Sequence, residues 1–263
     1  MDLGLKDKRA LLMGASRGLA YATAHLLAQE GCRLVINSRD EAKLTASAGK
    51  IAKETGASVT GVAGDVSDPS MPDKIMEQAV KFLGGLDLLV TNAGGPPAGA
   101  FESFDEAAWE KAVNLSFMSH VRFIRAALPY LRKSRAASVL TMTSYSVKQP
   151  LPNLVLSNSV RLATIGLTKT LALELGSEGI RFNSILPATI DTDRIRELAA
   201  FRAQKKGATL EQELATDAQK SVFGRIGTPQ EFANAAVFLL SPAASYLTGV
   251  MLTVDGGQYK STF

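Results

Sequence analysis

At 263 residues, with 46% apolar and 21% charged side chains, the chain has the make-up of a soluble globular protein able to bury a sizeable core. A single cysteine, Cys32, excludes an internal disulfide and suits a reducing, cytoplasmic setting. The net charge of +4 comes from basic residues spread along the chain and not interleaved with aromatics, which argues against nucleic-acid binding. The N-terminus has no apolar leader core, and the most apolar region, 234–254, is broken by Ser241, Pro242, Ser245 and Gly249, which argues against a membrane span.

The first apolar run, 10–13, predicts a strand and leads into Gly14-Ala15-Ser16-Arg17-Gly18-Leu19-Ala20, which opens a helix over 18–30. A glycine turn between a strand and a helix N-terminus offers backbone N–H groups to an anion such as a pyrophosphate. The same pattern also serves as a plain strand–helix turn; its place at the first strand–helix junction favours the ligand. A second strand over 33–37 ends at Asn37, Ser38 and Arg39, ahead of a helix over 41–54. An acidic residue at that strand end would receive the ribose 2′-hydroxyl of NAD(H). Arg39, joined by Arg17 from the glycine turn, suits a 2′-phosphate, so NADP(H) is expected over NAD(H).

A third strand over 58–62 precedes Asp65 and Val66, then a helix over 70–84. A fourth over 86–91 runs into Asn92-Ala93-Gly94-Gly95, followed by a long helix over 105–133 that carries Asn114. The fifth, 138–143, ends at Ser144 and Tyr145; the helix after it, 154–176, carries Ser157 and Arg161. The sixth, 180–186, leads to Pro187, Ile190 and Thr192. A polar, helical segment over 193–222 interrupts the alternation before a last helix, 229–240, and a last strand, 250–254. Strands alternating with helices predict a doubly wound, parallel, seven-stranded Rossmann sheet with helices on both faces. Continuous apolar strand runs fit burial on both faces. One domain is expected over 1–263, with the insert placed as a lid over the carboxyl ends of the strands, where open α/β sheets bind ligands.

In its combination of motifs the chain resembles the short-chain dehydrogenase/reductase family, most of all the bacterial 3-oxoacyl-acyl-carrier-protein reductases. The motifs are the glycine turn, Asp65-Val66, Asn92-Ala93-Gly94-Gly95, the V-N-L around Asn114, G-L-T-K-T-L-A-L-E-L (166–175), I-R-F-N-S-I-L-P (180–187), G-R-I-G-T-P-Q-E (224–231) and Y-L-T-G-V-M-L-T-V-D-G-G (246–257). They fall in family order over essentially the whole chain. The resemblance implies a nicotinamide cofactor, a homotetramer, and a catalytic set of Asn, Ser, Tyr and Lys. Asn114 and Ser144 fit the first two. Counting back from G-L-T-K places Ser157 at the Tyr position and Arg161 at the Lys position; a register one residue earlier puts Leu156 and Val160 there, again neither Tyr nor Lys.

A phenol starts near pKa ~10 and a neighbouring ammonium lowers it, whereas an aliphatic hydroxyl is a far weaker acid. Arg161 offers charge and hydrogen bonds, to a ribose or to the backbone near Asn114, but does not pass protons along. Tyr145 stands as a substitute acid only if the strand end turns it toward the site; otherwise it packs or faces solvent. His25 and His120 read as helix-surface or interface residues and Cys32 as buried. The third motif glycine is Ala20, a tolerated change, and Ala188 stands where the family has Gly. In the insert, Arg194, Arg196, Arg202, Lys205 and Lys206 either meet an anionic substrate or form a solvated face. Two functions follow: an NADP(H)-dependent reductase of a small-molecule or acyl-thioester carbonyl with an altered acid, or a cofactor-binding, catalytically silent protein acting as sensor or oligomer partner. No metal is expected.

Overall fold

The computed structural model describes residues 1–262. Seven strands form one sheet: β1 (Arg9–Leu12), β2 (Arg33–Ser38), β3 (Val59–Ala63), β4 (Leu88–Thr91), β5 (Ser138–Met142), β6 (Arg181–Pro187) and β7 (Met251–Val254). All neighbours pair in parallel, in the order β3-β2-β1-β4-β5-β6-β7. The helices between them are α1 (Gly18–Gln29), α2 (Glu41–Thr55), α3 (Met71–Leu83), α4 (Glu106–Val113), α5 (Ser119–Leu131), α6 (Val155–Leu175), α7 (Asp193–Lys206), α8 (Leu210–Ala218) and α9 (Pro229–Leu240). The expected single Rossmann domain is what forms. The segment read as one helix over 105–133 is α4 and α5 joined by a π-helical turn, Asn114–Met118. The insert over 193–222 resolves into α7 and α8.

Period-two alternation sorts the strand side chains onto two faces. Ala10 and Leu12 of β1, Leu88 and Val90 of β4, and Leu140 and Met142 of β5 join one core with α1, α2 and α9. Leu11, Leu89 and Val139 point the other way, into a second core with α3, α5 and the end of α6. Local signals fix the helix starts. The Asp40 and Asp105 carboxylates accept from the backbone N–H groups of Lys43 and Ala108, and Thr228 with Glu231 closes a capping box over Pro229. Cys32 is buried, and its thiol is pushed up to about 12, mainly by desolvation, so it is inert.

β1 lies between β2 and β4, so successive connections run in opposite senses from it. The crevice at the carboxyl ends of β1 and β4 is therefore the switch point of the sheet. Among the described residues no helix is long and apolar enough to cross a membrane.

Candidate active site

The glycine turn is held from both sides. The Met13 N–H donates to the Val90 carbonyl at 3.0 Å, and the Ala15 N–H to the Asn37 carbonyl at 2.9 Å. The Ser47 hydroxyl of α2 donates to the Ser16 carbonyl at 2.9 Å. Gly14 has φ +62°, and a Cβ there would lie 2.8 Å from Asn92 Nδ2. Only a residue without a side chain lets the first turn approach the Asn92-Ala93-Gly94 loop this closely. Gly18, also at positive φ, has Thr192 of the segment after β6 as its near neighbour. Arg17 caps α1 with an extended backbone, no side chain occupies the N-terminal N–H groups, and the first turn holds no acid. The result is a cradle of open N–H donors at a helix N-terminus, braced by main-chain contacts and the Ser47 hydroxyl.

The two candidate phosphate-binding arginines diverge. Arg39 is exposed at the end of β2, 3.9 Å from the Asp65 carboxylate. Arg17 turns toward α7, 3.7 Å from Asp193 and 3.6 Å from Glu197. Asn37 does not line the surface as expected. It is fully buried, and its Nδ2 donates to the carbonyls of Val62 and Gly64 at 2.9 and 3.1 Å. It ties the ends of β2 and β3 together behind Ser38, which is half-buried. Asp65 uses one oxygen on the Ser67 N–H and hydroxyl. Val66 and Ala93 are buried among core residues, and Leu19 packs against the core from the first turn of α1. Pro187 ends β6; the Ile190 side chain is buried in the core, so only the main chain of that residue is available to a ligand.

Asn114 begins the π turn, a feature that recurs at functional sites. Its Nδ2 donates to the Ser67 carbonyl at 2.7 Å, and its Oδ1 accepts from Arg122 Nη1 at 2.6 Å. The side chain is thus bound to the loop after β3, on neither of the groups that Arg161 contacts. α6 docks on the turn through Thr164, whose hydroxyl donates to the Ser116 carbonyl at 3.1 Å. Beneath it runs a row of buried hydroxyls: Thr168 at 3.0 Å from Thr141, and Thr141 at 2.6 Å from Ser184.

Ser157 and Arg161 share one inward face of α6, each 8% exposed. Arg161 Nε donates to Ser157 Oγ at 3.2 Å and Nη1 to the Thr143 carbonyl at 3.3 Å; the contact is the end of β5, not the backbone near Asn114. Its Nη2 lies 3.8 Å from where a Gly95 Cβ would stand. Desolvation lowers the guanidinium to about 10, which leaves it protonated at neutral pH. Ser144 follows Thr143, half-buried, its Oγ accepting from the Ser146 N–H at 3.2 Å. Tyr145 opens a short 3-10 turn; desolvation first, then Asp217 and Asp255, raises its phenol, making it a poorer acid.

His120, read from the sequence as a helix-surface or interface residue, is neither: it is buried on α5. Its Nδ1 lies 2.7 Å from Thr91 Oγ1 and its Nε2 has no partner. Desolvation, then the charge of Arg161, lowers it to about 3, so it is neutral. One helical residue in a sequence gives no sign of which strand it faces.

Four of the five basic residues singled out in the insert pair with acids. Arg202 reaches Glu213 at 3.0 Å and also pairs with Asp217; Lys206 reaches Glu213 at 2.8 Å, and Arg196 reaches Asp191 at 2.7 Å. Lys205 covers the Phe201 ring. The Arg202 and Lys206 pairs clamp α7 on α8, whereas Arg194 and Arg196 pair with Glu197 and Asp191 near the start of α7. Hydrogen bonds from Lys206, then Arg202, lower the Glu213 pKa below its ordinary 4.5. A depressed carboxylate contributes stability above its unfolded value that is lost as pH falls through its folded one. Hydrogen-exchange protection over 200–218 is therefore expected to hold down to roughly pH 5 and to decline below about pH 4.

The fold and the cradle define a Rossmann protein built for a dinucleotide at its switch point. A family model described as "Enoyl-(Acyl carrier protein) reductase" matches residues 14–259. The 3-oxoacyl-[acyl-carrier-protein] reductase FabG of Vibrio cholerae is 32% identical over 98% of this chain and 99% of its own. The structure of L-sorbose reductase from Gluconobacter frateurii, complexed with NADPH and L-sorbose, matches with TM-score 0.95 and 31% identity over 99% of this chain and 100% of its own. An NADPH-bound short chain oxidoreductase of Pseudomonas aeruginosa PAO1, described as containing an atypical catalytic center, matches with TM-score 0.87 and 29% identity over 98% and 99%. The chain belongs to the short-chain dehydrogenase/reductase family of oxidoreductases.

Proposed function

We propose that this protein is an NADPH-dependent carbonyl reductase whose proton-donating position is held by Ser157 and whose usual lysine position is held by Arg161. The observation that carries the reading is the placement of a buried, protonated Arg161 beside Gly95, at the carboxyl ends of the strands that also present the Gly14–Gly18 cradle. The N–H groups of the cradle and of α1 would hold the pyrophosphate, Ser38 and Arg39 the 2′-phosphate, and Asp65 and Val66 the adenine side. Asn92, Gly94, Thr192 and Arg161 would border the nicotinamide half. NADPH, when bound, supplies a hydride. Ser144 orients the carbonyl oxygen, Arg161 stabilises charge that develops on it, and the proton comes from water admitted past Ser157, because an aliphatic hydroxyl is too weak an acid to give its own. The ligands of the sorbose reductase and of the Pseudomonas oxidoreductase support NADPH; helices α7 and α8 serve as the lid. Small ketones and acyl thioesters are both in scope.

Saturable quenching of protein fluorescence by NADPH, with NADPH oxidation on a ketone panel, is the test; absence of binding overturns the reading. Tyr145, raised rather than lowered in pKa, keeps a second reading in play: a protein that binds NADPH and turns nothing over. We further propose a homotetramer. Leu162 and Leu173 are exposed on α6, and Tyr246 and Met251 at the edge formed by β7. Light scattering is expected to give four times the chain mass, and a stable monomer at micromolar concentration refutes it.

A further inference from the structure

A cleft of about 430 Å³ opens at the amino ends of β5 and β6, at the opposite end of the sheet from the glycine cradle. Three cations from distant parts of the chain converge on it: Lys8 ahead of β1, Arg135 ahead of β5, and Arg181, the first residue of β6. Among the described residues no acid lines it. Glu178, on the turn between the lining residues Gly176 and Gly179, is held by Arg132 at 2.6 Å instead.

Arg181 is fixed in place as the floor of the cleft. Its Nη1 donates to the carbonyls of Leu239 and Leu247 at 2.7 and 3.3 Å, and its Nη2 to those of Leu240 and Ser241 at 2.9 and 3.0 Å, which closes the C-terminus of α9. Those carbonyls orient the guanidinium but carry no net charge to cancel it. Desolvation lowers it to about 10, so it stays charged at neutral pH. Lys8 is half-buried and Arg135 exposed, so both side chains are free to turn onto a ligand. Like charges gathered in a concavity focus a positive potential there. The remaining wall is largely apolar, with Ala136, Ile180 and Pro242. The volume is that of a small-molecule site. Three cations suit more than one negative charge, and a phosphate ester carries roughly −1.5 to −2 at neutral pH, more than a single carboxylate does.

We propose that this cleft is a second ligand site, separate from the cofactor cradle, and that it takes a small organic phosphate. The phosphoryl group sits between Lys8 and Arg135 above the fixed charge of Arg181, and the apolar body lies against Ile180 and Pro242.

Phenyl phosphate, inorganic phosphate and phenol, each titrated calorimetrically at low ionic strength, decide it. The protein is first saturated with NADPH, which keeps the probes off the cradle. Phenyl phosphate is expected to bind more tightly than either of its parts. Lys8→Ala plus Arg135→Ala should weaken it roughly tenfold or more, as the loss of hydrogen bonds from charged donors implies. Lys81→Ala plus Lys111→Ala removes the same charge from exposed positions on α3 and α4 and should leave the affinity unchanged. Arg181 is left in place, because its bonds hold α9; the four substituted side chains lie outside the core, and an unchanged melting temperature confirms that both variants fold. The proposal is overturned if phenyl phosphate does not bind, if phenol binds as well, or if the two double variants behave alike. Inorganic phosphate binding as tightly as phenyl phosphate overturns the assignment to an organic ester. If NADPH does not bind, the reductase reading falls, and the same titrations on the free protein still read the cleft through its own double variant.

Discussion

The double variant Ser157→Tyr plus Arg161→Lys is expected to reduce simple ketones about 10²–10⁴-fold faster than the native chain, the range general acid catalysis supplies. Ser157 and Arg161 already face one another across a 3.2 Å hydrogen bond on the inward face of α6. A phenol and an ammonium installed there would inherit that proximity, and the ammonium would draw the phenol below its ordinary pKa of ~10. The π turn, the Thr164 contact and the hydroxyls beneath α6 are untouched, so the helix should keep its seat. NADPH oxidation under single-turnover conditions is the measurement. If the native chain already works at the rate of the double variant, the acid lies elsewhere, and Tyr145→Phe is the next substitution. If both chains bind NADPH and neither turns over, the silent-binder reading prevails.

The second large effect is on cofactor choice. Native protein should bind NADPH more tightly than NADH, and Arg39→Ala should remove roughly 1.5–3 kcal/mol of that preference, about 10–150-fold in Kd. Arg17→Ala should remove less. Both sequence positions suit a phosphate, but Arg17 is turned toward Asp193 and Glu197 of α7, whereas Arg39 stands free at the end of β2 with only a 3.9 Å contact to Asp65. Fluorescence titrations of the three proteins with both cofactors settle it; equal affinity of the native chain for NADPH and NADH sinks the idea.

The elements that carry this site were legible because their signals are local. Strand runs, a glycine pair around Arg17 and the Asn92-Ala93-Gly94 loop depend on neighbours in sequence, and each falls where expected. The misreadings come from partners distant along the chain. Asn37 stood at the strand end expected to meet the cofactor, but its amide is taken by the carbonyls of Val62 in β3 and Gly64 just after it. Arg202 and Lys206 of α7 gave no sign in sequence of their acids, Glu213 and Asp217, which sit on the next helix. His120 lies in a helical pattern that gives no warning of Thr91 or of its proximity to Arg161. The long helix expected here runs without a break, and no proline or glycine announces the π turn at Asn114–Met118 within it, on which Thr164 of α6 packs.

One arrangement in the fold bears on how the protein is made. The core face of α1 is closed by α9: Ala20, Ala24 and Leu27 share a cluster with Phe232, Ala236, Val237 and Leu240. The ribosome delivers α1 first and α9 nearly last, so throughout synthesis the apolar stripe of the first helix waits for a partner that has not yet been translated. Parallel pairings of high sequence separation fold slowly for the same entropic reason. The apolar stripe of α1 therefore stays without its final cover until α9 is made, and transiently exposed apolar surface is what chaperones engage and where aggregation begins. A chain ending just before residue 229 would lack that partner altogether.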